Sequence, residues 1–246
     1  MKAVITQTWE LIKGFIFPEN TRCINCKRCL FLDNNILCSN CYEKLEFIKE
    51  KVYNDNIIRS GNKNDIADND KNVRETTHFC FDELISVVKY NEVAREVVHN
   101  FKFCGGMQVA RDCSKLIYEA VLSQEWFKEV DIIIAVPMSK AKLAHRGYNQ
   151  ARLLADSFKA CLDKEIDFEF LNKREEIKDQ IGLDYKQRQL NMMDSFYIGS
   201  KQELIGKNIL IIDDVITSGA TLDACARVLK EGGANKVFCA TFASTQ

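Results

Sequence analysis

"ILIIDDVITSGATL", residues 209–222, decides the fold. Four aliphatic residues, Ile209 to Ile212, run into two adjacent carboxylates, Asp213 and Asp214. Small and hydroxylated residues follow from Thr217 to Thr221. An unbroken apolar run is the mark of a strand covered on both faces, and "GATLDACARVLKEGGA" behind it reads as a helix. A strand–turn–helix junction leaves free amide groups and the positive end of a helix dipole, which suits a phosphate. Hydroxyls at Thr217, Ser218 and Thr221 add hydrogen bonds, and Gly219 leaves open the space that a side chain would take from the phosphate. The carboxylates would repel a phosphate. They are placed instead to accept from a sugar's hydroxyls or to hold Mg²⁺. Together these features describe a site for a ribose 5-phosphate. Neither a P-loop with its Gly-Lys-Ser/Thr nor a G-x-G-x-x-G is present.

Outward from this stretch the chain alternates. "LISVVKY" reads as a strand, "EVAREVVHNFKF" and "QVARDCSKLIYEAVL" as helices, and "DIIIAVP" as a buried strand. "NQARLLADSFKACL" is helical, while "EIDFEFL" and "KVFCATFA" are strands. Helices alternating with near-continuous apolar strands indicate an α/β fold with a mainly parallel sheet flanked by helices. Ligands of such sheets lie beyond the carboxyl ends of the strands. The loops after Val136 and Ile212 both fall on that edge.

The N-terminal part is different. Five of the eleven cysteines lie in "CINCKRC" and "CSNC". Two C-x2-C pairs, Cys23 with Cys26 and Cys38 with Cys41, form the spacing of a tetrahedral zinc site. Cys26 and Cys29 are an equally spaced pair, so Cys29 competes for the register. Starting from the first pair makes Cys29 the spare. Four thiolates close the coordination sphere, so this Zn²⁺ is expected to be structural. Cys80, Cys104, Cys113, Cys161, Cys225 and Cys239 occur singly and read as small core residues. Ile5, Trp9, Ile12 and Ile16 fall at helical spacing ahead of Pro18. Residues 54–77 hold six Asn and four Asp and no aromatic residue, a composition that cannot offset its ordering entropy. The expected organisation is an N-terminal helix with a zinc-binding module (1–51), a flexible linker (52–78) and a main domain (79–246). Net charge is −1, so no global field draws the chain onto nucleic acid. No run of about 18 apolar residues implies a membrane span. An odd cysteine count without a secretory signal points to a reducing, cytoplasmic setting.

The 213–221 stretch resembles the phosphoribosyl pyrophosphate (PRPP) motif of type I phosphoribosyltransferases, D-D-V-x-T-T-G-x-T, with Ser218 keeping the hydroxyl of the second Thr. Within that superfamily the chain is similar to the ComF family. "AVPMSKAKLAHRGYNQARLLA" (135–155) resembles its P-V-P-x(8)-R-G-F-N-Q segment, and "DQIGLDYKQRQLNMMDSF" (179–196) its Q-x-x-L-x-x-x-x-R-x-x-N-x-x-x-x-F segment. "FKF" (101–103) and the C-x2-C pairs match further elements. The resemblance implies a type I phosphoribosyltransferase fold with an N-terminal zinc ribbon. It assigns PRPP to Asp213, Asp214, Val215, Thr217, Ser218, Gly219, Ala220 and Thr221. Its pyrophosphate falls to Met138, Ser139, Lys140, Lys142 and Arg146, where Lys142 stands in for the family's Arg and lacks the bidentate fork. A charged loop, 172–191, would close over the ligand and bring Lys173, Arg174 or Arg188 to the leaving pyrophosphate, with Asn191 and Phe196 anchoring its return. Asp213, Asp214 and Arg188 are then the catalytic candidates, and Mg²⁺ accompanies PRPP.

The family context is natural transformation, so the implied role is a pentosyltransferase in DNA uptake acting on an unidentified acceptor. The rival reading is an adaptor without turnover, one that senses PRPP or holds single-stranded DNA for a competence helicase or a recombination mediator. Lys140, Lys142, Arg146, Lys173, Arg174 and Arg188, interleaved with Tyr148 and Tyr185, could track phosphates and stack bases.

Overall fold

The computed structural model describes residues 22–30, 36–48, 52–53, 79–103, 107–156, 158, 164–175, 195–199 and 204–245. The stretches expected to form an N-terminal helix and most of a linker, together with Cys104, Cys161, Arg188 and Asn191, lie outside these residues.

A six-stranded sheet forms the frame. Its strands are β1 (Val52–Tyr53), β2 (Glu83–Lys89), β3 (Ile132–Ala135), β4 (Glu165–Ile166), β7 (Asn208–Ile216) and β8 (Lys236–Ser244). Spatial order is β1-β2-β8-β7-β3-β4. All neighbours are parallel except β1, which runs antiparallel to β2 at one edge. β7 and β8 are central, which explains their composition: Ile209 to Ile212 and Val237 to Ala240 are buried because helices cover both faces. α2 (Glu92–Phe103) and α3 (Met107–Leu122) follow β2, and α4 (Lys140–Arg146) and α5 (Gln150–Asp156) follow β3. α6 (Ala220–Glu231) joins β7 to β8. α3 packs on β2 and β8, α5 on β3 and β7, and α6 on β8. α2 buries Val93, Ala94, Val97, Val98 and Phe101, a stripe at helical spacing. Asn91 Oδ1 caps it by accepting from the Ala94 amide at 3.0 Å.

Two expectations change. "EIDFEFL" is not one strand. Asp167 Oδ1 accepts from the Glu169 amide at 2.7 Å, an Asx turn that offers the backbone an alternative to the ladder. After it, β5 (Leu171–Lys173) leaves the main sheet and pairs antiparallel with β6 (Phe196–Ile198). The polar loop thus springs from a two-stranded ribbon. The strand holding the acid pair also runs further than its apolar run. Asp213, Val215 and Ile216 stay in register with Thr241, Ala243 and Ser244 of β8, so the acids lie inside β7 rather than at its end.

The zinc-ribbon segment rests on the edge of the sheet. Phe47 bridges Val88, the Ile48 amide donates to Val87 O at 2.9 Å, and the Lys89 amide donates to Glu46 O at 2.8 Å. Val52–Tyr53, placed by composition at the head of the linker, continues the same edge as β1. The Ile36 amide also donates to Asp112 Oδ2 on α3 at 3.1 Å.

Candidate functional site

Cys23, Cys26, Cys38 and Cys41 bring their sulfurs within 4.8 Å of one another. The first pair sits on a knuckle in which the Cys23 amide donates to Arg28 O at 2.8 Å and the Lys27 amide donates to Cys23 O at 2.9 Å. Lys27 takes the left-handed conformation there, with φ of 59°. Cys38 precedes and Cys41 lies within a single helical turn, α1 (Ser39–Tyr42). Asn25 Nδ2 donates to Cys41 Sγ at 3.3 Å. Burial acts to raise the Cys23 thiol, but amides of Cys38, Cys26 and Asn25 outweigh it and hold the group at about 6. Burial lifts Cys41 to about 11, with its neighbouring cysteines adding to the rise. Four soft donors in a closed cluster suit Zn²⁺. Cys29 is exposed and stands outside the cluster, which takes in the two pairs that begin at Cys23 and Cys38.

The second site lies on the carboxyl edge of the sheet. Consecutive residues of a strand point to opposite faces, and the acid pair obeys this. Asp214 is 9% exposed and meets Lys102 of α2, whose Nζ is 2.9 Å from Asp214 Oδ2. Asp213 lies on the face of Cys225 and α6, where its charge acts on that thiol. The two side chains thus meet different neighbours, while their carboxyls stay close enough to act on each other. Burial, then the charge of Asp214, drives the Asp213 carboxyl well above the usual carboxylate range. The Asp214 amide, which donates to Asp213 Oδ1 at 2.8 Å, and Lys102 oppose that rise.

Thr217 and Ser218 are exposed in the turn after β7. Gly219 is the N-cap of α6, with φ of 77° and no side-chain cap. A Cβ at this glycine would meet the Phe79 ring at 3.0 Å. Backbone handedness and Phe79 therefore demand glycine, apart from any need of a phosphate. The acid in the first turn, Asp223, does not cap the helix. Its Oδ1 accepts from the Cys80 amide at 2.7 Å and its Oδ2 lies 3.5 Å from Arg227. Ser218 Oγ accepts from the Ala220 amide at 3.4 Å. The N-terminus of this twelve-residue helix is thus left without a strong cap, an arrangement suited to an anion.

Beside it, β3 ends in the loop 136–139. Ser139 is buried, and its hydroxyl caps α4 by accepting from the Lys142 amide at 3.4 Å. The Lys140 amide already donates to a carboxylate, Glu175 Oε1, at 2.9 Å, so this amide does accommodate an anion. Met138 and Lys140 line a cleft of about 620 Å³ with Pro137, Tyr148, Arg152 and Phe168. Lys142 is exposed. Arg146 Nη1 donates to the Gln150 carbonyl oxygen, Oε1, at 2.8 Å. Lys173 and Arg174 lie at the root of the ribbon over the rings of Phe196 and Tyr197. The other candidate of that loop, Arg188, lies outside the described residues. Sequence reading missed Lys102. Its signal was present in "FKF", a basic residue in the last turn of an amphipathic helix, but no local spacing ties it to Asp214.

Residues 106–246 match the family model described as "Phosphoribosyl transferase domain". The chain is 28% identical over 222 residues to "Competence protein F" of Haemophilus influenzae, covering 89% of this chain and 94% of that protein. It is 29% identical over 148 residues to "Competence protein ComFC" of Bacillus subtilis, 60% of this chain and 58% of that one. "DNA utilization protein YhgH" of Escherichia coli K12 is 27% identical over 157 residues, with 63% and 68% covered.

Proposed function

The chain belongs to the phosphoribosyl transferase domain family, in its ComF branch, and from that premise we propose that its sheet edge binds PRPP with Mg²⁺. The observation that carries this reading is the weakly capped N-terminus of α6 directly behind the acid-bearing strand. Amides at the start of α6 and the hydroxyls of Thr217, Ser218 and Thr221 take the 5-phosphate. The carboxylates accept from the ribose hydroxyls, with Asp214 the one that Lys102 meets at 2.9 Å. The loop 136–140, with Lys142 and Arg146 beside it, takes the pyrophosphate end. Mg²⁺ prefers few protein carboxylates and several ligand and water oxygens. Asp213 fits that demand, and when bound the ion supplies charge for the departing pyrophosphate.

Transfer would form a bond from an acceptor to the ribose C1 as the bond from C1 to pyrophosphate breaks. The protein contributes positioning and electrostatics to it. Arg188 belongs to the same proposal as a cation that reaches the leaving group. The relatives are named for competence and DNA utilisation, and we extend that setting to this chain as a role in DNA uptake. Zinc is structural in this reading, because four thiolates leave no open position.

Calorimetric titration of the zinc-loaded protein with PRPP and Mg²⁺ tests the binding step. Saturable heat that vanishes in Asp213→Ala/Asp214→Ala is expected, and wild-type protein without heat or thermal stabilisation would refute it. Pyrophosphate release in the presence of pooled bases and amines separates an enzyme from a sensor. Single-stranded DNA, if it uses the same basic edge, will be displaced by PRPP at constant ionic strength.

A further inference from the structure

Lys102 stands in the last turn of α2, outside both the strand β7 and the loop after β3. Its Nζ lies 2.9 Å from Asp214 Oδ2, with the lysine side chain 28% and the aspartate side chain 13% exposed. The preceding residue, Phe101, is buried, and its carbonyl accepts from the Tyr148 hydroxyl at 2.6 Å. Tyr148 follows Gly147, the C-cap of α4. One helical turn is therefore bonded to both halves of the candidate site.

We infer that Lys102 is a positioning residue, a built-in cation that pairs with Asp214 so that the edge presents one carboxyl outside an ion pair rather than two. The inference rests on the reading of this edge as the PRPP–Mg²⁺ site and deepens it. Two uncompensated carboxylates on consecutive residues would attract a divalent cation with no sugar phosphate present. They would also repel the polyphosphate itself. An ammonium arriving from α2 removes both problems without entering the hydroxyl-rich turn at 217–219. Arginine can carry the same charge, whereas glutamine cannot.

The test uses the full, zinc-loaded chain as Lys102→Gln, Lys102→Arg, Asp214→Asn and the Lys102→Gln/Asp214→Asn double variant. Melting temperature is followed against MgCl2 alone at constant ionic strength, and PRPP–Mg²⁺ affinity by calorimetry. Wild type and Lys102→Arg should ignore Mg²⁺ alone. Lys102→Gln should gain a Mg²⁺-dependent rise of roughly 2–4 °C, the scale of a modest stabilisation in a chain of this size. It should also lose roughly tenfold or more in PRPP affinity, the scale of a lost charge-assisted contact. The double variant should lose the Mg²⁺ response again. A Lys102→Gln protein that ignores Mg²⁺ as wild type does would overturn the assignment, as would a response that persists in the double variant. If Lys102→Gln does not fold but the double variant does, the uncompensated carboxylate is the fault and the assignment stands; failure of both overturns it. Should wild type not bind PRPP, the Mg²⁺ titration still decides the role of Lys102, so the two readings fail separately.

Discussion

Cys23, Cys26, Cys38 and Cys41 come from a short stretch of chain and converge to within 4.8 Å. At the sheet edge Lys102 of α2 meets Asp214 of β7 at 2.9 Å, while its neighbour Phe101 accepts from the Tyr148 hydroxyl at 2.6 Å. The cysteine module is a closed arrangement of soft donors with nothing left for a substrate. The sheet edge is open, with a weakly capped helix terminus and exposed hydroxyls in its turn. The difference teaches how each kind of site tolerates change. In a closed four-thiolate site the loss of any one ligand opens the coordination sphere. An open site distributes its charge over several elements, so single losses there should alter binding before they alter folding.

Loss of a metal ligand should have the largest effect. Cys38→Ser is expected to abolish zinc binding and unfold residues 22–48, because structural zinc contributes about 10–16 kcal/mol in small zinc modules. Since Glu46 and Ile48 bond to β2, the loss should also expose the sheet edge. Elemental analysis and protease sensitivity read the two consequences. Cys29→Ser should retain about one Zn²⁺ per chain, the occupancy of a single four-thiolate site. Zinc loss in Cys29→Ser instead would break the comparison by moving the register.

The acid pair comes next, and here stability and binding should move in opposite directions. Asp213→Asn is expected to weaken PRPP binding by about 1–3 kcal/mol, the scale of charged hydrogen bonds. Its folded-state carboxyl lies above the ordinary value. The native state therefore holds this proton longer than the unfolded chain does. Stability from the neutral form is fully present below the ordinary carboxylate range and is lost as pH rises toward the elevated value. Asp213→Asn should accordingly melt higher than wild type at neutral pH, with the gap closing toward about pH 4, near the ordinary aspartate value. A gap independent of pH, measured by thermal melts across that window, would contradict the raised carboxyl.

Gly219→Ala should have the smallest effect. The left-handed conformation costs a non-glycine residue about 1–2 kcal/mol, and the Phe79 ring must shift by a few tenths of an ångström to admit a Cβ. Urea unfolding measures the sum. A neutral substitution would mean that the turn relaxes, and that the geometry at the start of α6 is less fixed than the metal site.

The parallel sheet was legible because both faces of β7 and β8 are covered, so Ile209 to Ile212 and Val237 to Ala240 needed no polar alternation. The cysteine register was legible because each ligand pair is local. Stretches whose structure depends on distant partners were harder to read. "EIDFEFL" has a strand's composition, yet the Asx turn at Asp167 and the partner strand β6 divide it between two sheets. Asp213 and Asp214 stand out in the sequence as a candidate pair, but only the register with Thr241 and Ala243 of β8 extends the strand and gives the two side chains different neighbours. By itself the sequence determined the fold class and which residues are candidates for the chemistry, since residue type and local spacing are covalent facts. The tertiary structure alone decided which charges meet. The ion pair from Lys102 to Asp214 exists only because the last turn of α2 comes up to β7 across an intervening stretch of chain in which no periodicity links the two.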